Sequence, residues 1–298
     1  ESVVFGCSGT EAIEVAIQIA RLATSARGIV CTDSTYHGNT ELVGSMSYLG
    51  ETPPQMGEIR AFPFPELYRP IESGLSEEAL ADCYVERVAA CIESLKDDGV
   101  GFSALLMCSI FANEGPPEIP AGFMAKVTEL VHREGGLVIA DEVQAGYGRT
   151  GHWWGYEATD FLPDIVVTGK PMGNGLPISA TATRKELVDA FRAEKDYFNT
   201  CAASPLQAAV GMAVIDEVER LDLVSNAANV GNRLTQELKD RVDRYDVVGD
   251  ARGFGLFLGV EIVKDKVSKE PDAPLTLDFC DRLKDKGFLV SYSGRYNN

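Results

Sequence analysis

Ala104-Leu105-Leu106-Met107-Cys108-Ser109-Ile110, then Pro120 to Arg133 with its apolar positions at helical spacing, then Gly135-Gly136 and Leu137-Val138-Ile139-Ala140 is the stretch that decides the fold. A continuous apolar run, a helix stopped by glycine and a second apolar run read as strand, helix, strand, the repeating unit of a parallel sheet buried on both faces. The same alternation extends outward. Upstream, Ser8-Gly9-Thr10-Glu11 reads as a capping box, and Ala12, Ile13, Ala16, Ile17 and Ala20 form one apolar helix face, so a helix starts just after Ser8. Val3-Val4-Phe5 and Gly28 to Thr32 read as strands on either side of it, Ser34 to Asn39 as a turn, residues 50–70 as loop with one strand, and Ser76 to Leu95 as helix. Downstream, Ile165-Val166-Val167 and Ile178 to Thr183 add strands. The first two thirds therefore reads as an α/β, parallel, doubly wound sheet with helices on both faces. A long helix from Pro205 to Arg220 follows, then a helix from Val224 to Arg241 and strands near Val247 and from Leu256 to Val263. The expected division is a large domain over 1–213 and a smaller, partial α+β C-terminal domain over 214–298.

The chain of 298 residues is long enough for such a pair, and 45% hydrophobic with 24% charged residues is the composition of an ordinary globular protein. A net charge of −18 repels phosphate backbones and anionic headgroups, which argues against nucleic acid or a membrane surface as partner. Seven cysteines without a C-x-x-C pair suggest neither a zinc site nor a disulfide framework and fit a cytoplasmic setting, and three scattered histidines lack metal-ligand spacing. The absence of an initiating Met, a strand at once, and an end at Tyr296-Asn297-Asn298 with no closing helix suggest a piece of a longer protein.

Open α/β sheets bind ligands beyond the carboxyl ends of their strands. Three groups sit at such ends. Ser8-Gly9-Thr10 offers a glycine and two hydroxyls at a helix N-terminus, where free amides and the positive dipole end favour phosphate, although a plain helix cap explains it equally. Asp141, leading Asp141-Glu142-Val143-Gln144, either serves a ligand or caps and pairs with Arg149. Lys170, in Thr168-Gly169-Lys170-Pro171-Met172-Gly173-Asn174-Gly175, reads alone as a surface lysine, and Pro171 rules out a phosphate-binding loop of the G-x-x-x-x-G-K-[ST] kind. Together an acid, a lysine and a phosphate-type helix start are the parts that hold a phosphorylated pyridine aldehyde: Lys forms the Schiff base and Asp keeps the ring nitrogen protonated.

These motifs, with Tyr36-His37-Gly38-Asn39, Asp141 through Gly151, Pro163-Asp164-Ile165 and Arg252-Gly253-Phe254-Gly255-Leu256, resemble in this order the class III, ω-type aminotransferases of the fold type I pyridoxal-phosphate family. The resemblance covers nearly the whole chain and implies a mostly parallel, seven-stranded-type sheet. It further implies that pyridoxal 5'-phosphate is the cofactor, that Ser8, Gly9 and Thr10 lie at its phosphate, that Tyr36 stacks on its ring with His37 beside it, and that Asp141 pairs with its nitrogen. Val143 would pack on the opposite ring face, Gln144 reach the phenolic oxygen, and Lys170 both form the Schiff base and move the proton from Cα. A lysine buried beside a cationic ring loses its proton more readily. Thr200 would reach the phosphate of a neighbouring subunit, implying a homodimer. Glu114 falls where relatives carry an acidic or polar residue near the cofactor, with a loop-shaping role equally open. Asn39 and Leu176 depart from the family pattern, and relatives extend further at both ends. The expected reaction is amino transfer between an amine or amino acid and a keto acid or aldehyde; the alternatives are a lyase acting on a phosphorylated amino alcohol and a cofactor-binding relative without turnover.

Overall fold

The computed structural model describes residues 1–47 and 57–298. Part of the loop-and-strand expectation for 50–70 thus lies outside the described residues. Strand β1 (Ser2–Gly6) runs into α1 (Gly9–Thr24), followed by β2 (Gly28–Thr32), the short α2 (Glu41–Met46), β3 (Ile59–Phe62) and α3 (Glu77–Asp97). The unit that opened the sequence reading is β4 (Phe102–Cys108), α4 (Phe123–Arg133) and β5 (Leu137–Asp141). A single-turn α5 (Gly155–Ala158) leads to β6 (Ile165–Thr168), β7 (Ser179–Thr183) and α6 (Lys185–Glu194).

Among the described residues these strands form one seven-stranded sheet in the order β1-β7-β6-β5-β4-β2-β3, with β7 antiparallel to both neighbours and the rest sharing one direction. The sheet is thus mostly parallel, as expected, with β7 the reversed strand. Residues 169–178 are too few for the crossover of about a dozen residues that a parallel return needs, and they hold only a 3₁₀ turn at Lys170–Gly173.

Side-chain alternation supplies both faces of the sheet with a core. Ala104, Leu106 and Ile139 pack with Ile13, Ala16 and Ile17 of α1 and with Phe191 of α6, whereas Leu105, Met107 and Val138 pack with Tyr84, Val88 and Ile92 of α3 and with Val127 of α4. A full apolar side chain buried this way is worth about 1.5–3 kcal/mol. Every apolar position named for α1 in the sequence is buried.

Beyond the sheet run α7 (Pro205–Arg220) and α8 (Leu223–Arg244), an antiparallel hairpin of β8 (Val248–Phe254) and β9 (Phe257–Ile262), and α9 (Ala273–Asp285). The sequence reading passed over α9. Its Pro274 sits in the first turn, where a missing amide hydrogen costs nothing, and Asp272 caps it by accepting from the Leu275 amide at 3.1 Å. The final residues fold back toward the sheet: the Gly294 amide donates to the Asn113 carbonyl at 2.9 Å, and Arg295 pairs with Asp33.

Candidate active site

Because β1, β2, β4, β5 and β6 share a direction, their carboxyl ends fall on one edge of the sheet, and the loops leaving them close around a cleft of about 110 Å³. Gly9 and Thr10 reach it from β1, Tyr36, His37 and Gly38 from β2, Cys108 and Asn113 from β4, Asp141, Val143 and Gln144 from β5, and Lys170 from β6.

At the β1 end the expected capping box is present: the Ser8 hydroxyl accepts from the Glu11 amide at 3.2 Å and the Glu11 carboxylate accepts from the Ser8 amide at 3.1 Å. The cap occupies an acceptor position on Ser8 and leaves the hydroxyl hydrogen free to donate. Gly9 allows a close approach, since a Cβ there would stand 3.0 Å from a Val143 methyl. Gly38 adopts φ +151° with Thr10 against it, so a side chain at 38 would be strained and would strike the Thr10 hydroxyl. The loop after β2 and the start of α1 are thereby held in contact.

Asp141 ends β5 almost fully buried, 6% exposed. Its Oδ1 accepts from the Val143 amide at 3.0 Å, and its Oδ2 lies 2.7 Å from Nδ1 of His37, whose side chain is fully buried. The alternative pairing with Arg149 is not formed; the partner is His37, which the resemblance put beside the ring. His37 also holds the turn, its amide donating to the Ser47 hydroxyl at 3.0 Å. The neighbouring Glu142 is structural: it accepts from the amides of Gly155 and Tyr156 and from the Ser109 hydroxyl, and burial raises its pKa despite these bonds.

Tyr36 is 43% exposed and Val143 7% exposed, so one wall of the cleft is open and the other is core. Gln144 donates to Asn113 at 3.3 Å, and Asn113 donates to the Tyr36 carbonyl at 3.2 Å, a clamp across the mouth of the cleft. Asn113 and Cys108 were not singled out as site residues in the sequence; their position at the end of β4 and in the loop after it was the available signal. Lys170 occupies φ +24°, a backbone conformation of appreciable cost that small neighbours tolerate. Its side chain is exposed, not buried as the sequence reading supposed, because the cleft is open on that side, and it makes no hydrogen bond or ion pair among the described residues. Thr200 is exposed between α6 and α7 and does not line the cleft. Ser8, immediately before Gly9, does not line it either.

The donor set suits a phosphorylated pyridine aldehyde. The first turn of α1 presents free amides for the phosphate, and close by, the Thr168 and Ser179 hydroxyls are buried without a hydrogen-bond partner. Asp141 is a buried acceptor of the kind a protonated ring nitrogen needs, Val143 and Tyr36 line the cleft, and Lys170 brings an amine to it.

The chain matches the family described as aminotransferase class-III over residues 1–297. It is 34% identical over 99% of its length to the mitochondrial alanine–glyoxylate aminotransferase 2 homolog 2 of Arabidopsis thaliana, and spans 61% of that protein, so that relative is considerably longer. Among solved structures it is similar to an Arthrobacter phospholyase in complex with phosphoethanolamine, with TM-score 0.94 and 36% identity over 100% of this chain and 71% of that one. It is also similar to a taurine:2-oxoglutarate aminotransferase from Bifidobacterium kashiwanohense in complex with pyridoxal phosphate and glutamate, with TM-score 0.86 and 27% identity over 98% of this chain and 68% of that one. The chain belongs to the class-III aminotransferases, fold type I proteins whose cofactor is pyridoxal phosphate.

Proposed function

We propose that this chain carries the cofactor-binding and proton-transfer centre of an enzyme that moves an amino group from an amine or amino acid to a keto acid or aldehyde, its cofactor site alternating between two substrates. The observation that carries this reading is the convergence of Lys170, the Asp141–His37 pair and the α1 N-terminus on one cleft. Pyridoxal phosphate, when bound, supplies an aldehyde to receive the amino group and a cationic ring that withdraws electrons from Cα. Gly9, Thr10 and the Ser8 hydroxyl hold its phosphate. Asp141, kept in place by His37 and the Val143 amide, would keep the ring nitrogen protonated. Val143 and Tyr36 would hold the ring plane, and Gln144 would serve the phenolic oxygen. Lys170 would hold the aldehyde carbon through Nζ and, as a free amine, would be the group that accepts and returns the substrate's Cα proton.

A second reading is favoured by the similarity to the phospholyase. The same proton removal by Lys170, followed by breaking of the Cβ–O bond, releases phosphate from a phosphorylated amino alcohol. The two are separated by supplying alanine with glyoxylate and, in a parallel reaction, phosphoethanolamine with no keto acid. Formation of glycine from glyoxylate with no inorganic phosphate released from phosphoethanolamine is the expected outcome. Phosphate release without a keto acid overturns the transfer reading in favour of the lyase.

The active form is a homodimer. Phe198, Leu206 and Met212 are 81%, 65% and 58% exposed around Thr200 and along the outer side of α7, an apolar surface that a second copy would cover. Thr200 would then donate across the interface to the partner's phosphate. The seven cysteines are unpaired, which suits a reducing compartment such as the cytosol.

A further inference from the structure

The cleft adjoins a larger cavity of about 690 Å³, and Val143, Gln144 and Lys170 line both. The other walls of this cavity include Leu256, Phe257 and Leu258 of the β8–β9 hairpin and Leu289 and Val290 near the end of the chain, so much of it is apolar. Among the described residues one charged side chain besides Lys170 lines it, that of Arg149, and no aspartate or glutamate does. A chain with 45 acidic residues and a net charge of −18 thus keeps all of them out of this wall. Arg87 on α3, also exposed, shows the contrast, since Glu72, Asp82 and Glu86 line the cavity in which it lies.

The backbone of Arg149 is fixed while its side chain is exposed. Its carbonyl accepts from the Leu256 amide at 2.9 Å, and a Cβ on Gly255 would stand 2.4 Å from the carbonyl carbon of Thr150, so the hairpin turn and the loop after β5 meet at a distance that glycine permits. The guanidinium makes no hydrogen bond or ion pair among the described residues. It is charged at any ordinary pH, is less strongly hydrated than an ammonium, and offers parallel N–H donors that match a carboxylate or a phosphate. An anion approaching a chain of this net charge is repelled at long range, and a cation without competing carboxylates gives it a place to settle.

We propose that Arg149 is a specificity-determining residue that binds the anionic group, carboxylate or phosphate, of a substrate whose amine reacts at Lys170. The proposal rests on the cofactor reading given above, because Lys170 fixes where the amine must come. Arg149 makes the site prefer an amine that carries an anion over an uncharged-tail amine of the same shape, and Gln144, Asn174 and Ser291 add neutral polar groups to the same cavity.

The test compares two pairs of amines on the protein loaded with pyridoxal phosphate, following the cofactor's absorbance. Alanine is set against isopropylamine, in which a methyl replaces the carboxylate, and phosphoethanolamine against ethanolamine. Arg149→Met is expected to raise the half-saturating concentration of the anionic member of at least one pair by about tenfold, the loss of one charge-assisted hydrogen bond, and to leave the other member unchanged. Which pair responds tells carboxylate from phosphate. Arg149→Lys should recover part of the loss, and added salt should weaken the anionic amine more in wild type than in Arg149→Met. If neither anionic amine is affected, the proposal is overturned. It is overturned too if both members of each pair weaken equally, since the variant has then disturbed the cleft rather than removed an anion's partner.

A second readout needs neither turnover nor cofactor. In the cofactor-free chain, propionate or methyl phosphate is expected to slow the addition of phenylglyoxal to Arg149, read by mass spectrometry, beyond the effect of sodium chloride at equal ionic strength, and to leave Arg87 unprotected. Protection of Arg149 by neither anion overturns the proposal, and this arm decides if Arg149→Met does not fold. A chain that binds no pyridoxal phosphate defeats the cofactor reading with the protection of Arg149 intact, whereas an Arg149 indifferent to both anions defeats the anion site with cofactor binding intact.

Discussion

At the scale of residues, the centre of the site is a contact between side chains 104 positions apart, Asp141 and His37. Asp141→Asn keeps the shape but cannot hold a negative charge against a ring N–H. Turnover is expected to fall at least ~100-fold, with weaker cofactor retention in dialysis; turnover within a few-fold of wild type would remove Asp141 from its assigned role. Lys170, Asp141, Tyr36 and Gly9-Thr10 were legible because each stands in a short motif just after an apolar strand. The partner of Asp141 was not legible. A local reading offers Arg149, only eight positions away, and ranks it above a histidine on another strand's loop, whereas the sheet order brings the β2 and β5 ends to the same cleft. The exposure of Lys170 was missed for a similar reason, since sequence does not say which side of a cleft is open.

Elements were the most legible scale where composition and caps agreed. The Ser8-x-x-Glu11 pattern set the start of α1, which begins where it places it, and α7 spans the expected Pro205 to Arg220. Ser8→Ala removes the acceptor for the Glu11 amide and is expected to cost about 1 kcal/mol, seen as a thermal midpoint lowered by about 2 °C. Because the proposed function gives the same hydroxyl to the cofactor phosphate, affinity for pyridoxal phosphate should fall as well. An unchanged midpoint would mean that the cap contributes nothing to α1. The reversal of β7 escaped the reading because strand direction is carried by connection length rather than by the strand's own residues. The short α2, α5 and α6 escaped it because glycine, serine and charged residues dilute their apolar pattern.

At the scale of the whole molecule, the β8–β9 hairpin is joined to the sheet by charge. Arg252 is paired with Glu261 and Asp250 and donates to the Gly115 carbonyl, while Arg69, after β3, pairs with the same Glu261. Glu66 lies beside this network, its carboxyl pushed from about 4.5 up to about 7, chiefly by burial. The folded state therefore holds a proton that the unfolded chain has released, and this group's contribution to stability declines as pH rises from about 4.5 to about 7. Glu66→Gln should raise the thermal midpoint by about 2 °C at pH 8 and leave it unchanged at pH 4; equal effects at both would mean that Glu66 is not held protonated. The division of the sheet from the hairpin is visible in the pattern of the sequence, but this cross-connection depends on arginines and acids far apart along the chain. Sedimentation should find a dimer, and Met212→Glu, placing a charge on the apolar side of α7, should give monomer; a wild-type monomer would contradict the shared-site reading.

The central claim is that Lys170 binds the cofactor and moves the substrate proton, and the visible absorbance of the purified chain with added pyridoxal phosphate tests it most directly. Wild type is predicted to acquire a cofactor band that an amine donor converts to the amine form, and Lys170→Ala to bind the cofactor without that conversion. A wild type that shows no bound chromophore with cofactor in excess, or a Lys170→Ala variant that converts the band as fast as wild type, would contradict the account.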